Sequence, residues 1–184
     1  MRLGIAHHFG WAVAVTAAAD GGVLDRRRIE LIEPGLPPAP VHSRESADLD
    51  DAALEALVAR VRDSAARAAS TSLDGLAAAL PRSLRSISLR AWPADFPAEI
   101  AVVRRPPYES RADSVMYRAV LAELAQERGW EVDLYDAGQV EAEAVALLGE
   151  RADRVLRGPR QTLGPPWTKD HRTALAAAIV AGAG

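Results

Sequence analysis

Six consecutive residues, Trp167-Thr168-Lys169-Asp170-His171-Arg172, carry a hydroxyl, an ammonium, a carboxylate, an imidazole and a guanidinium. Thr168 suits the cap of a helix, which puts Lys169, Asp170, His171 and Arg172 in its first turn. A helix start presents unpaired N–H groups and the positive end of the dipole, so with an ammonium and an imidazole added it favours a phosphate or carboxylate. Gly164-Pro165-Pro166 makes the approach to this turn stiff. The same residues also read as an ordinary cap with an exposed first turn and Trp167 as a staple against a sheet. A second polar group, His7 and His8, interrupts an apolar opening run. Imidazoles with one carboxylate are donors that zinc, iron or manganese accept. Neighbours on a strand face opposite ways, however, so His7 and His8 do not easily share one ion, and no metal or other cofactor is assigned.

Weaker groups lie elsewhere. Arg104, Arg105, Tyr108, Glu109, Arg111 and Asp113 place arginines beside an aromatic, a pattern that grips phosphate or stacks on a base and also builds surface ion pairs. Arg26-Arg27-Arg28 is diluted by Asp25, Glu30 and Glu33. Asp136 follows Tyr135 at a strand end, a common position for catalytic acids, and also suits a helix cap. The chain has no Gly-rich phosphate loop, no Gly-x-Ser-x-Gly elbow and no His-Glu-x-x-His helix.

The 184 residues carry a net charge of −3 and no cysteine, which excludes disulfides, thiolate metal sites and a cysteine nucleophile. One domain spanning 1–184, large enough to bury a core, is expected from this length. Of the 22 basic residues only Lys169 is lysine, and roughly a fifth of the chain is alanine. Arginine therefore stands wherever a cation is needed, which lowers the information in any arginine cluster and raises it for the lone lysine. The small-residue run from Trp11 to Ala19 loosely imitates a secretory segment, but His7 and His8 precede it and Val13 and Val15 alternate as in a strand. No apolar stretch reaches the ~18 residues of a spanning helix, so no membrane role and a cytoplasmic location are expected.

The elements that must position these groups begin with strands. Arg2–His7 and Gly10–Ala18 are apolar or alternating, with Trp11, Val13 and Val15 on one face and Ala12, Ala14 and Thr16 on the other. Asp20-Gly21-Gly22 supplies a hairpin turn, and Val23–Ile32 returns as an edge strand suited to a homodimer contact. After the stiff Pro34–Pro40 connection, Asp48 and Asp51 cap a long helix whose stripe runs from Leu54 to Leu80, with a break or kink at Ser70-Thr71-Ser72. Ser86–Ala91 is a strand. Ser110 and Asp113 cap a helix ending at Gly129, and Val132–Tyr135 is a short strand. Asp136 and Gln139 start a helix closing at Gly149. A smaller helix runs to about Arg157, and Thr168 caps the last one.

This order, a three-stranded antiparallel start followed by alternating strands and helices, predicts an α/β fold with a mixed sheet and helices on both faces. It resembles the ribonuclease H-like fold, and Leu3-Gly4-Ile5 followed by Gly10-Trp11-Ala12-Val13 resembles the opening of RuvC-type resolvases. Asp170-His171-Arg172-Thr173-Ala174-Leu175-Ala176 resembles the last helix of that family. The resemblance implies a first-strand aspartate where Ala6 stands and a fourth-strand acid near Arg90, leaving Asp170 as the one matching acid. Two magnesium ions about 4 Å apart need several carboxylate oxygens, and an arginine opposes them. The expected function is therefore a non-catalytic binding or assembly module for a phosphate-bearing or nucleic-acid ligand. Its pocket would lie between His7, His8, Arg90, Lys169, Asp170, His171 and Arg172, with Arg105, Tyr108, Arg111 and Asp136 as secondary candidates. The alternative is a divalent-metal nuclease or phosphodiesterase using Asp170, Asp136 and His7.

Overall fold

Alternating apolar residues in the first third build three antiparallel strands. The computed structural model describes residues 1–183, the side chain of Glu45 excepted. β1 (Arg2–His8) turns at Gly10, whose φ of +79° suits glycine, into β2 (Trp11–Ala17). Asp20 then accepts a hydrogen bond from the Gly22 N–H at 2.9 Å in the turn to β3 (Val23–Glu30). β4 (Ser86–Arg90) pairs parallel with β1, and β5 (Glu131–Tyr135) parallel with β4. The sheet order is β3-β2-β1-β4-β5, so β3 and β5 form its edges.

The two strand faces bury separate cores. Leu3, Ile5, Ala12, Ala14 and Ile29 pack under α1 (Asp51–Ala78) and α3 (Glu109–Glu127). Ala6, Val13 and Val15 pack under α4 (Val140–Leu148), α5 (Ala152–Leu156) and α7 (Lys169–Val180). The faces of β2 are those its alternation predicts. Short helices α2 (Ile100–Val103) and α6 (Pro159–Thr162), and 3₁₀ turns at Arg44–Ser46 and Gly149–Arg151, complete the connections. Among the described residues no helix is long and apolar enough to cross a membrane.

Helix α7 lies unusually close to the sheet. A Cβ on Gly4 would stand 1.8 Å from the Ala174 carbonyl oxygen, and the Ser88 hydroxyl donates to the Ala177 carbonyl at 3.2 Å. Only a helix face of alanines, here Ala174, Ala177 and Ala178, permits that approach.

Three local expectations are corrected. Asp50, not Asp48 with Asp51, caps α1, accepting from the Ala53 N–H at 2.8 Å. The Ser70-Thr71-Ser72 run does not break that helix, because its hydroxyls have partners that leave the helical bonds alone. Ser72 donates to the Glu30 carbonyl at 2.9 Å, Ser70 accepts from Arg128 at 2.7 Å, and Thr71 bonds back to Arg67 at 3.0 Å. Ser110 and Asp113 do not cap α3, which starts at Glu109. Asp113 is buried and accepts from the Val41 and His42 N–H groups, each at 3.0 Å, tying the proline-rich connection to α3.

Candidate functional site

The parallel strands β1, β4 and β5 end on the same side of the sheet, the edge where ligands gather in α/β folds. They deliver His7 and His8, Arg90, and Tyr135 with Asp136. Helix α7 starts at the same edge, since His8 Nε2 lies 3.0 Å from the Asp170 carboxylate.

His8 belongs to a ladder of side chains. Its ring stacks on Trp11 with centroids 4.1 Å apart and planes inclined by 12°. The Arg28 guanidinium lies 4.1 Å from the same indole centroid and pairs with Glu30 at 2.8 Å. Two groups that close to one centroid cannot share a face, so Trp11 is sandwiched. The ladder Glu30–Arg28–Trp11–His8–Asp170 thus runs from the edge strand across β2 and β1 to the start of α7.

His7 points to the opposite face, toward α3. Burial first, then the charges of Arg118, Arg90 and His8, push its pKa down to about 3. In the unfolded chain His7 takes up its proton near its ordinary 6.5, whereas the folded protein resists until about 3. Its contribution to stability is therefore complete above about 6.5 and falls as pH drops toward 3. Urea melts of the parent and of His7→Gln across that window should show a shallower acid decline in the variant; parallel curves would disprove it.

Arg118, buried in α3, donates to the carbonyls of Ser114 (2.9 Å), Arg90 (3.3 Å) and Ala91 (2.8 Å). Burial, aided by Arg90, pushes its pKa down to about 10, so it stays charged at neutral pH. Burial pushes the Tyr135 phenol up to about 12, and it donates to the Ile5 carbonyl at 2.7 Å. Arg90 itself is exposed, and no hydrogen bond or ion pair among the described residues neutralises it.

At the helix start, the His171 Nδ1 accepts from the Thr168 N–H at 3.2 Å and lies 2.9 Å from the Thr168 hydroxyl. That geometry places the proton of the neutral ring on Nε2. Burial, with Arg26, lowers the His171 pKa, consistent with an accepting Nδ1. Trp167 is buried, its ring 5.4 Å from His171, and its indole N–H donates to Leu156 at 2.8 Å. Arg26 donates to the carbonyls of Leu163, Gly164 and Pro166, clamping the approach loop onto β3. A cavity of about 460 Å³ between this start and β2–β3 is lined by Trp11, Arg26, Arg28, Thr168, Asp170 and His171. A second, of about 360 Å³, is lined by His7, His8, Phe9, Trp11 and Ser114.

The sequence candidates therefore separate. His8, Asp170 and His171 line adjoining cavities, and Lys169 is exposed at the helix start. The charge of Arg90 is felt by His7, although by strand alternation Arg90 shares the α7 face with Ser88 and His7 lies on the α3 face. Arg172 turns to α4, 3.6 Å from Glu141. Asp136 is exposed and accepts from the Gly138 N–H at 2.6 Å, holding the turn into α4. Tyr108 packs edge-on against Phe96 with centroids 5.6 Å apart, while Arg105 and Arg111 are exposed near the start of α3. No hydrogen bond or ion pair among the described residues joins that group to His8, Asp170 or Arg90. Trp11, Arg28 and Arg118 were absent from the candidates. The alternation that puts Trp11 and Arg28 on one sheet face was their only signal; Arg118 sits among Tyr117, Val120 and Leu121, where a buried guanidinium gives none.

A five-stranded mixed sheet of this order, flanked by helices on both faces, is the ribonuclease H-like fold. The chain is similar to RuvC of T. thermophilus in complex with a Holliday junction substrate, with a TM-score of 0.51 and 16% identity over 97% of this chain and 90% of that one. It is also similar to a second structure of Thermus thermophilus RuvC, at a TM-score of 0.48 and 17% identity over 97% and 91% of the two chains. No protein-family model and no curated protein sequence matches the chain.

The divalent ions of a two-metal nuclease do not fit these residues. The β1 position is the methyl of Ala6, the β4 end is Arg90 with Arg118 beneath it, and the Asp170 carboxylate is bonded to His8. Among the described residues no three His, Cys, Asp or Glu side chains are grouped to hold a metal ion. Of His7, Asp136 and Asp170, His7 faces α3 while Asp170 lies on the α7 face, and no hydrogen bond or ion pair among the described residues joins any two of them.

Proposed function

We propose that the chain is a non-catalytic binding module whose carboxyl sheet edge takes a phosphate-bearing ligand, nucleic acid foremost. One observation carries this reading: this edge presents the exposed guanidinium of Arg90, close enough to the buried Arg118 to act on it, Ala6 stands where the family resemblance implies a carboxylate, and the Asp170 carboxylate is engaged by His8. A field of that sign attracts phosphate, and among the described residues no three His, Cys, Asp or Glu side chains are grouped to hold a metal ion. The exposed cations Arg90 and Lys169 would meet the phosphates, while Arg118 holds the strand end beneath Arg90. The RuvC of T. thermophilus is described with a Holliday junction, so branched DNA belongs among the ligands tried.

Fluorescence anisotropy with labelled four-way, duplex and single-stranded DNA at fixed salt tests this. Arg90→Ala with Lys169→Ala should weaken binding by about tenfold and flatten its salt dependence. Incubation with manganese should leave every substrate intact. Unchanged affinity in the double variant would defeat the assignment of the edge, and cleavage that survives rigorous purification would defeat the non-catalytic reading.

A further inference from the structure

The opposite end of the sheet holds a second concentration of positive charge. Several arginines are paired with acids: Arg27 with Asp25, Arg62 with Glu123, Arg67 with Glu33, Arg104 with Asp51 and Arg128 with Asp74. Others have no acid partner, and of these Arg2, Arg82 and Arg85 stand together at one cavity. Among the described residues no hydrogen bond or ion pair joins their side chains to an acid, yet all three line one cavity of about 530 Å³. They come from separate parts of the chain, the start of β1 and the loop entering β4, so the fold itself assembles them.

Three further facts show a formed site. Arg2 is half-buried, and its guanidinium rests on Gly182, where a Cβ would stand 2.5 Å from its Nη1, between this cavity and a neighbouring one lined by Asp20 and Gly182. Besides burial, Arg85, Arg2 and Arg82 all lower the pKa of the Met1 ammonium, so their fields converge on one point. Apart from Ser83, the rest of the cavity wall is apolar, with Met1, Pro81 and the exposed side chain of Leu24. Like charges held together without a counter-charge raise the energy of the folded state, and an arriving anion relieves that repulsion. Guanidinium forks match the paired oxygens of a phosphoryl group, and the apolar wall suits a carbon chain attached to it.

We infer that the amino end of the sheet is a binding site for a phosphate monoester, its phosphoryl group held by Arg2, Arg82 and Arg85 and its carbon chain lying on Met1, Leu24 and Pro81. This site is separate from the carboxyl edge and does not depend on the role proposed for it.

Calorimetric titration of the full chain with hexyl phosphate and with inorganic phosphate at constant ionic strength is the test. Hexyl phosphate should bind one equivalent, several-fold tighter than inorganic phosphate. Arg82→Ala/Arg85→Ala should weaken it at least tenfold, and Arg90→Ala should leave it unchanged. Both arginines are exposed, and a circular dichroism melt matching the parent's establishes that the double variant is folded. The assignment is overturned by no saturable binding, by equal affinity for the two probes, or by the same affinity in the double variant. A loss caused by Arg90→Ala would move the ligand to the other end and also overturn it.

Discussion

Gly4→Ala is expected to abolish cooperative folding. The added methyl would lie 1.8 Å from the Ala174 carbonyl oxygen, about half an ordinary contact, and the group it strikes is backbone in the middle of a buried helix. No rotamer change relieves that clash. Either α7 lifts from the sheet or β1 bends, and each exposes Ala174, Leu175 and Ala178 together with Leu3 and Ile5. Overpacking a core usually costs ~1–3 kcal/mol, but a backbone collision across the central strand should exceed ~4 kcal/mol, much of the ~5–15 kcal/mol that holds a domain together. The measurement is a thermal melt by circular dichroism, with Gly75→Ala as its control. Gly75 is exposed in α1 with nothing within 4 Å of an added Cβ, so alanine there should be neutral or stabilising by ~0.5–1 kcal/mol. A Gly4→Ala protein that melts like the parent would show that α7 does not lie on β1 as described.

Asp113→Ala is the second large effect. Its carboxylate is buried and receives two backbone N–H groups, from Val41 and His42, while Tyr117 one helical turn on donates to the Pro38 carbonyl at 2.9 Å. Burial raises the Asp113 pKa and the two N–H groups oppose the rise, so the carboxylate is held mainly by those donors. Removing it leaves a cavity and two unpaired donors, at a cost of ~2–4 kcal/mol, or roughly 4–15 °C in melting temperature at this chain length. Asp113→Asn keeps the volume but offers one acceptor oxygen and turns its own N–H donors toward a backbone donor, so it should cost less than alanine without being neutral. Trypsin cleavage after the exposed Arg44, just beyond the pinned segment, should accelerate in both variants. Unaltered cleavage and melting would mean that the proline-rich connection holds itself in place.

The opening hairpins and the element order were legible because two periods, alternation in strands and three-to-four in helices, report directly on burial. Val13 and Val15 against Ala12 and Ala14 gave the two faces of β2 before any contact was known. Caps were less legible. Asp48, Asp50 and Asp51 all suit an N-cap, and a one-residue difference in backbone geometry selects Asp50. Asp113 reads locally as a capping acid, yet its partners lie more than 70 residues away. Of the site, the helix start and the histidine pair were visible as runs of polar chemistry. The pairing of His8 rather than His7 with Asp170 follows from strand parity once α7 is known to cover the Gly4–Ala6 face. Arg118 and the convergence of Arg2, Arg82 and Arg85 depend on contacts between distant segments, which no local pattern encodes.

The ladder from Glu30 to Asp170 bears on how fast a ligand is captured. It holds the start of α7 against the edge strand through a salt bridge, a cation–π contact, a stack and a hydrogen bond, all made within the chain. A ligand reaching this edge thus meets groups whose conformational entropy was surrendered on folding, and little of its binding free energy goes into ordering them. Under the proposed role, association would need no rearrangement of the helix, and encounter steered by the exposed cations, rather than a conformational step, would set the rate.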